Sequence, residues 1–171
     1  GSTFTMGAAD VTLYAQWTIN TYTVTFDKNG GDTEANPTTK PAAHGGNVGT
    51  LPTAPTRTGY TFTSWNTETN GSGTEFTAAT AVTADLTVYA QWTINTYTVT
   101  FDKNGGDTEA NPTTKPAAHG GNVGTLPTAP TRTGYTFTSW NTETNGSGTE
   151  FTAATAVTAD ITVYAQWTIN S

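Results

Sequence analysis

The chain contains no cysteine. That excludes disulfides, thiolate-bound zinc, iron–sulfur clusters and a cysteine nucleophile. Charge is also scarce: charged side chains make up 11% of the 171 residues, and 6 basic against 13 acidic groups leave a formal net charge of -7. So few Lys and Arg cannot neutralise a run of phosphates, which argues against nucleic acid as a partner. The same sign argues against docking on anionic lipid. Nor is there enough charge for an expanded disordered polymer. No apolar run approaches the roughly 20 residues that span a bilayer, so no membrane insertion by this segment is expected. No signal peptide is visible either. Gly1-Ser2 reads as a cloning remnant, so targeting signals are expected to lie outside this stretch.

Threonine fills the space left by charge, at about a quarter of all residues. It is β-branched and stiff at χ1, which favours extended structure. The 18 Gly and 8 Pro punctuate any long helix. The chain repeats itself: residues 21–95 recur as 96–170 at a spacing of 75, with one difference, Leu86 against Ile161. The segment 11–20 (Val-Thr-Leu-Tyr-Ala-Gln-Trp-Thr-Ile-Asn) matches 86–95 with changes among aliphatics only. The expected division is therefore residues 1–20 as tag remnant and last strand of a preceding repeat, 21–95 as the first module and 96–171 as the second. The joints at Asn20 and Asn95 contain no flexible linker, so a stiff array is expected.

Within one module, Tyr22-Thr-Val-Thr-Phe26 alternates as a half-buried strand. Asn29-Gly30 predicts a turn, because both residues tolerate positive φ. Residues 32–46, interrupted by Pro37 and Pro41, read as loop with at most a short helical turn, and residues 48–51 as a short strand. Residues 52–58, with two prolines, read as an extended connection. The second clear strand is Gly59-Tyr-Thr-Phe-Thr-Ser-Trp65, in which Trp65 leaves the alternation through a bulge. Asn70-Gly71 marks a turn. Residues 76–84, with four alanines, read as one or two helical turns. Residues 86–93 form the last strand, central in the sheet because both of its faces carry an aromatic. The apolar inventory is thin and rich in rings, which suits a small core.

At these residues the sequence resembles the internalin B-repeat family, also called the Listeria–Bacteroides repeat. The resemblance rests on Tyr22 to Gly31 (YTVTFDKNGG), on Pro55 to Phe62 (PTRTGYTF) with Trp65, and on Leu86 to Trp92 (LTVYAQW). The three blocks return at Tyr97, Pro130 and Ile161. The resemblance implies a mainly β, α+β fold of β-grasp type in each of two tandem domains: a short mixed sheet curled around a short helical segment. It also implies an extracellular module on the bacterial cell surface, in adhesins or large secreted proteins, and it brings no catalytic residues. Two departures stand out. Ser64-Trp65-Asn66 replaces the family's usual Gly-Trp-Tyr, and the stretch 36–46 is longer than the usual link.

Candidate chemistry is sparse. His44 and His119 are the same residue in two copies, and neither has a second histidine within its module; both read as solvated loop residues. Asp27, Asn29, Asp32 and Glu34 gather oxygen ligands of the type calcium takes, but Lys28 interrupts them and the EF-hand order is absent, so an Asn-Gly turn with exposed acids is the expected reading. Trp65 and Trp140, beside Asn66 and Asn141, could stack on a sugar; a Trp packed at the core edge is the stronger reading. Ser64 lacks a nucleophile elbow. Lys28, Lys40 and Gln91 supply raw material for a covalent cross-link without a motif that specifies one.

The functional expectation is a non-catalytic tandem repeat, part of a semi-rigid stalk or spacer of a surface adhesin. No catalytic, cofactor or metal site is expected. Neighbouring repeats of the same chain are the expected partners, and the chain is expected to be monomeric. The alternative is a multivalent binding module for a host protein or glycan. In either case, rigidity is decided at Ile94-Asn95-Thr96.

Overall fold

The computed structural model describes residues 10–171 together with Thr3, Thr5 and Gly7; Gly1-Ser2 and the remaining positions before Asp10 lie outside the described residues. The first module contains β1 (Thr21–Asp27), β2 (Thr39–Ala43), β3 (Tyr60–Asn66), β4 (Glu75–Phe76) and β5 (Leu86–Ile94). The second repeats them as β6 (Thr96–Asp102), β7 (Thr114–Ala118), β8 (Tyr135–Asn141), β9 (Glu150–Phe151) and β10 (Ile161–Ile169). Each module is one mixed five-stranded sheet, in the orders β2-β1-β5-β3-β4 and β7-β6-β10-β8-β9. β1 runs parallel to β5, as β6 does to β10, and the remaining pairs are antiparallel.

β5 is central, as its two aromatic faces predict. Val88 and Ala90 point inward and are fully buried, while Tyr89 on the other face is half-buried. β1 supplies Val24 and Phe26 to the same core. In β3 the pairing with β5 slips between Phe62 and Ser64, leaving Thr63 as an extra residue. That bulge brings Phe62 and Trp65 to one face, with ring centroids 5.2 Å apart. Trp65 then meets Phe26 edge-on at 5.0 Å, and Phe26 meets Phe76 at 5.9 Å. In a core whose buried aliphatic side chains are small, valines and alanines, rings in edge contact thus supply the bulk. Such pairs contribute about 0.5–1.5 kcal/mol each beyond their burial.

Three expectations are corrected. First, among the described residues there is no helix, so the helical segment implied by the resemblance is not formed. Over residues 76–84, β4 ends at Phe76 and the chain then turns. Thr77 N–H donates to Thr80 Oγ1 (2.8 Å), a local hydroxyl bond that competes with helix. Val82 exchanges backbone hydrogen bonds with Gly45 and Gly46, both 2.8 Å; a helical Val82 would commit those groups elsewhere. Second, the loop expected over 32–46 contains β2, hydrogen-bonded to β1 with Thr23 opposite Pro41. Proline is accommodated because β2 is an edge strand, which needs its N–H groups on one side only. Third, residues 48–51 form no strand. Val48 is buried, but Gly49 takes φ +70°, and the Val48 and Thr50 carbonyls accept from Lys40 Nζ instead of a ladder partner.

The Asn-Gly turn is as expected, with Asn29 at φ +46° and Gly30 at +80°. Gly31 is constrained by proximity: a Cβ there would lie 3.0 Å from both the Thr56 carbonyl oxygen and Trp92 Cζ2. Residues 11–20, for all their likeness to 86–95, lie outside any strand and are exposed. β5 and β6 are separated by Asn95 alone.

Candidate functional site

His44 is exposed in the turn after β2. The acidic turn does not converge on a common point. Asp27 Oδ1 accepts from the Asn29 N–H (2.7 Å). Asp32 Oδ2 accepts from both the N–H and the hydroxyl of Thr58, each 2.6 Å away. Glu34 pairs with Lys28 at 2.8 Å. The Thr58 hydroxyl, followed by its N–H, holds the Asp32 carboxyl below its ordinary 3.8, and the hydrogen bond from Lys28 to Glu34 raises the Lys28 ammonium above its ordinary 10.5. Asp107 and Lys103 repeat both effects. Among the described residues no three His, Asp or Glu side chains group so as to hold a metal ion. Asn29, read as a candidate ligand, is a tie within the fold: its Nδ2 donates to the Thr69 and Ala90 carbonyls, both 2.8 Å.

Trp65 is 1% exposed, so it cannot stack on a sugar. Its neighbour Asn66 is buried as well. Asn66 Oδ1 accepts from the Glu68 N–H, and its Nδ2 donates to the Gly71 and Gly73 carbonyls, which organises the turn between β3 and β4. The cross-link candidates are likewise engaged. Lys40 Nζ donates to backbone carbonyls, and Gln91 Nε2 donates to the Glu68 and Tyr89 carbonyls at 3.1 Å. In the second module a pocket beside β9 is lined by Thr149, Glu150, Phe151, Val157, Asp160 and Ile161. No histidine, lysine or serine faces it, so it lacks the serine–histidine pairing of acyl transfer.

The most organised polar arrangement lies at the junction. The Asn95 N–H donates to the Gly59 carbonyl (2.9 Å), and the Asn95 carbonyl accepts from the His119 N–H (2.8 Å). The Asn95 side-chain oxygen accepts from the Thr61 hydroxyl (2.7 Å). One residue is therefore bonded to both modules. Asn20 makes only the forward half, accepting from the His44 N–H (2.8 Å). Asn170 makes only the backward half, to Gly134 and Thr136. The importance of residues 94–96 is legible in the sequence, whereas the parts played there by Gly59 and His119 are not, because nothing within one module distinguishes His119 from His44.

Comparison with known proteins finds a repeat domain matched twice along the chain. Residues 22–91 and 97–166 each match the profile of the Listeria-Bacteroides repeat domain. The chain is similar to a protein of Evansella cellulosilytica named "Putative Gly-rich membrane protein", 37% identical over 174 residues, which covers 99% of this chain and 20% of that one. It is also similar to internalin H of Listeria monocytogenes, 41% identical over 121 residues, covering 70% of this chain and 21% of the relative. The chain thus spans about a fifth of the length of these relatives. No solved structure matches it.

Proposed function

The chain belongs to the Listeria-Bacteroides repeat domain family, and on that premise we propose that it is a non-catalytic stretch of a semi-rigid stalk, spacing the working end of a bacterial adhesin from the cell surface. The observation that carries this reading is the junction. β5 passes into β6 through Asn95, and Asn95 is hydrogen-bonded to the module on either side. A joint one residue long with its backbone groups occupied restricts relative motion, as a spacer requires. The repeat-domain family is not a catalytic one, and the side chains named above serve turns and strand ties. Residues 11–20 are read as the β5 equivalent of a preceding copy, because Asn20 bonds to His44 as Asn95 bonds to His119. The relatives' names, a membrane protein and an internalin, support an extracellular, envelope-associated setting. The partners are then neighbouring repeats, in a monomeric chain.

The alternative, multivalent binding of a host protein or glycan, draws on the repetition itself, but burial of Trp65 removes its sugar-stacking platform. Small-angle scattering on chains of increasing repeat number tests the spacer. A maximum dimension that grows by equal increments per module supports it, and a compact particle overturns it.

A further inference from the structure

Two pairs of residues identical in sequence have different surroundings. Gly59 and Gly134 close the same turn, at φ +76° and +79°. A Cβ on Gly134 would meet nothing, whereas a Cβ on Gly59 would fall inside the Cγ, Cδ2 and Nε2 atoms of His119. His44 and His119 follow the same strand, and each tilts against its own tyrosine, Tyr22 or Tyr97, with centroids 5.9 Å apart. His44 is exposed, while His119 is half-buried, with its Nδ1 enclosed and unpartnered. The first module is what covers it.

We propose that the Gly59 turn is a receptor for the imidazole of the following repeat, a latch that fixes the angle between modules, and that the open Gly134 turn and the open His44 ring are its two unfilled halves, each shaped for a further copy of this same module. The glycine serves in two ways. It adopts the positive φ that L side chains rarely take, and it leaves the volume the ring enters. Asn95 sets the register, because it receives the His119 N–H and donates to the Gly59 carbonyl. Enclosing Nδ1 without a partner is unfavourable, so the contact is held by ring packing and by the backbone bonds beside it. The latch does not depend on the stalk reading, since a binding array could use it equally well.

The internal duplication supplies the controls. The chain has no cysteine, so Thr69→Cys and Thr144→Cys, both at exposed positions, carry spin labels on the two modules. The full chain is expected to give one narrow distance distribution. Gly59→Ala and His119→Ala should broaden it, while Gly134→Ala and His44→Ala leave it unchanged. Gly134→Ala imposes the same backbone strain as Gly59→Ala without the overlap, so the difference between them isolates the latch. His119→Ala adds no strain and keeps the test decisive if Gly59→Ala unfolds its module. With one further copy appended after Asn170, and the labels moved to Thr144 and its equivalent in that copy, Gly134→Ala should broaden the distribution between these two modules. The proposal is overturned if the two glycine variants behave alike in the two-module chain, if His119→Ala leaves the distance unchanged, or if Gly134→Ala is silent in the extended chain. Silent variants in an array that still lengthens evenly would sink the latch and leave the spacer standing.

Discussion

Residues 11–19 and 86–94 are nearly the same peptide in two conditions. In the second, Val88 is fully buried and Trp92 donates its indole N–H to the Lys28 and Asn29 carbonyls, both 3.2 Å. In the first, the equivalent Leu13 is 70% exposed and Trp17 90% exposed. Local propensity is the same in both, and the neighbours differ. β5 lies between β1 and β3, and nothing in residues 10–20 is paired into a sheet. A strand here is a property of the whole module: its backbone groups and its apolar face need partners that arrive from 60 residues away, as in the tie from Asn29 to Ala90.

The strongest way to sharpen that contrast is to place a charge at the matched inward position. Val88→Asp buries an unpaired carboxylate and should destabilise the first module by more than about 4 kcal/mol. Leu13→Asp should shift stability by less than about 0.5 kcal/mol. Calorimetry should show the transition of residues 21–95 lost in the first variant and unchanged in the second. Next comes Asn29→Ala, which removes a grip on β5 that residues 11–19 lack. It leaves the Ala90 and Thr69 carbonyls without a donor, so a loss of about 1–3 kcal/mol is expected in urea unfolding. Trp92→Phe should lose about 1 kcal/mol with the indole bond, and Trp17→Phe nothing measurable.

The smallest effect is electrostatic. The Asp32 carboxyl is held below its ordinary value in the folded module, so its contribution is complete above about pH 4 and is lost as pH falls through the lowered folded value. An acid titration of stability should be shallower in Asp32→Asn than in the parent, and equal slopes would contradict the assignment. Lys28–Glu34 is exposed, and little is expected of it.

The sequence reveals β1, β3 and β5 because each carries period-two alternation and a large inward ring, and it reveals the Asn29-Gly30 turn through the demand for positive φ. It conceals β2, since Pro41 masks a strand that pairs on one side only. It suggests a helix after Phe76 because alanines are counted without the threonine hydroxyls between them, and because the bonds from Val82 to Gly45 and Gly46 are long-range. The bulge at Thr63 is legible from the misplaced Trp65. The burial of Asn66 is not, because its partners are carbonyls set by the fold of a turn. At the junction, identical letters at His44 and His119 have unlike surroundings, which only the neighbouring copy decides.

That the module is the folding unit is tested most directly by amide hydrogen exchange resolved along the chain. Residues 86–94 and 161–169 are expected to exchange only through unfolding of their modules, while 11–19 exchange at the rates of an unstructured peptide. Protection of 11–19 equal to that of its two near-copies would contradict it.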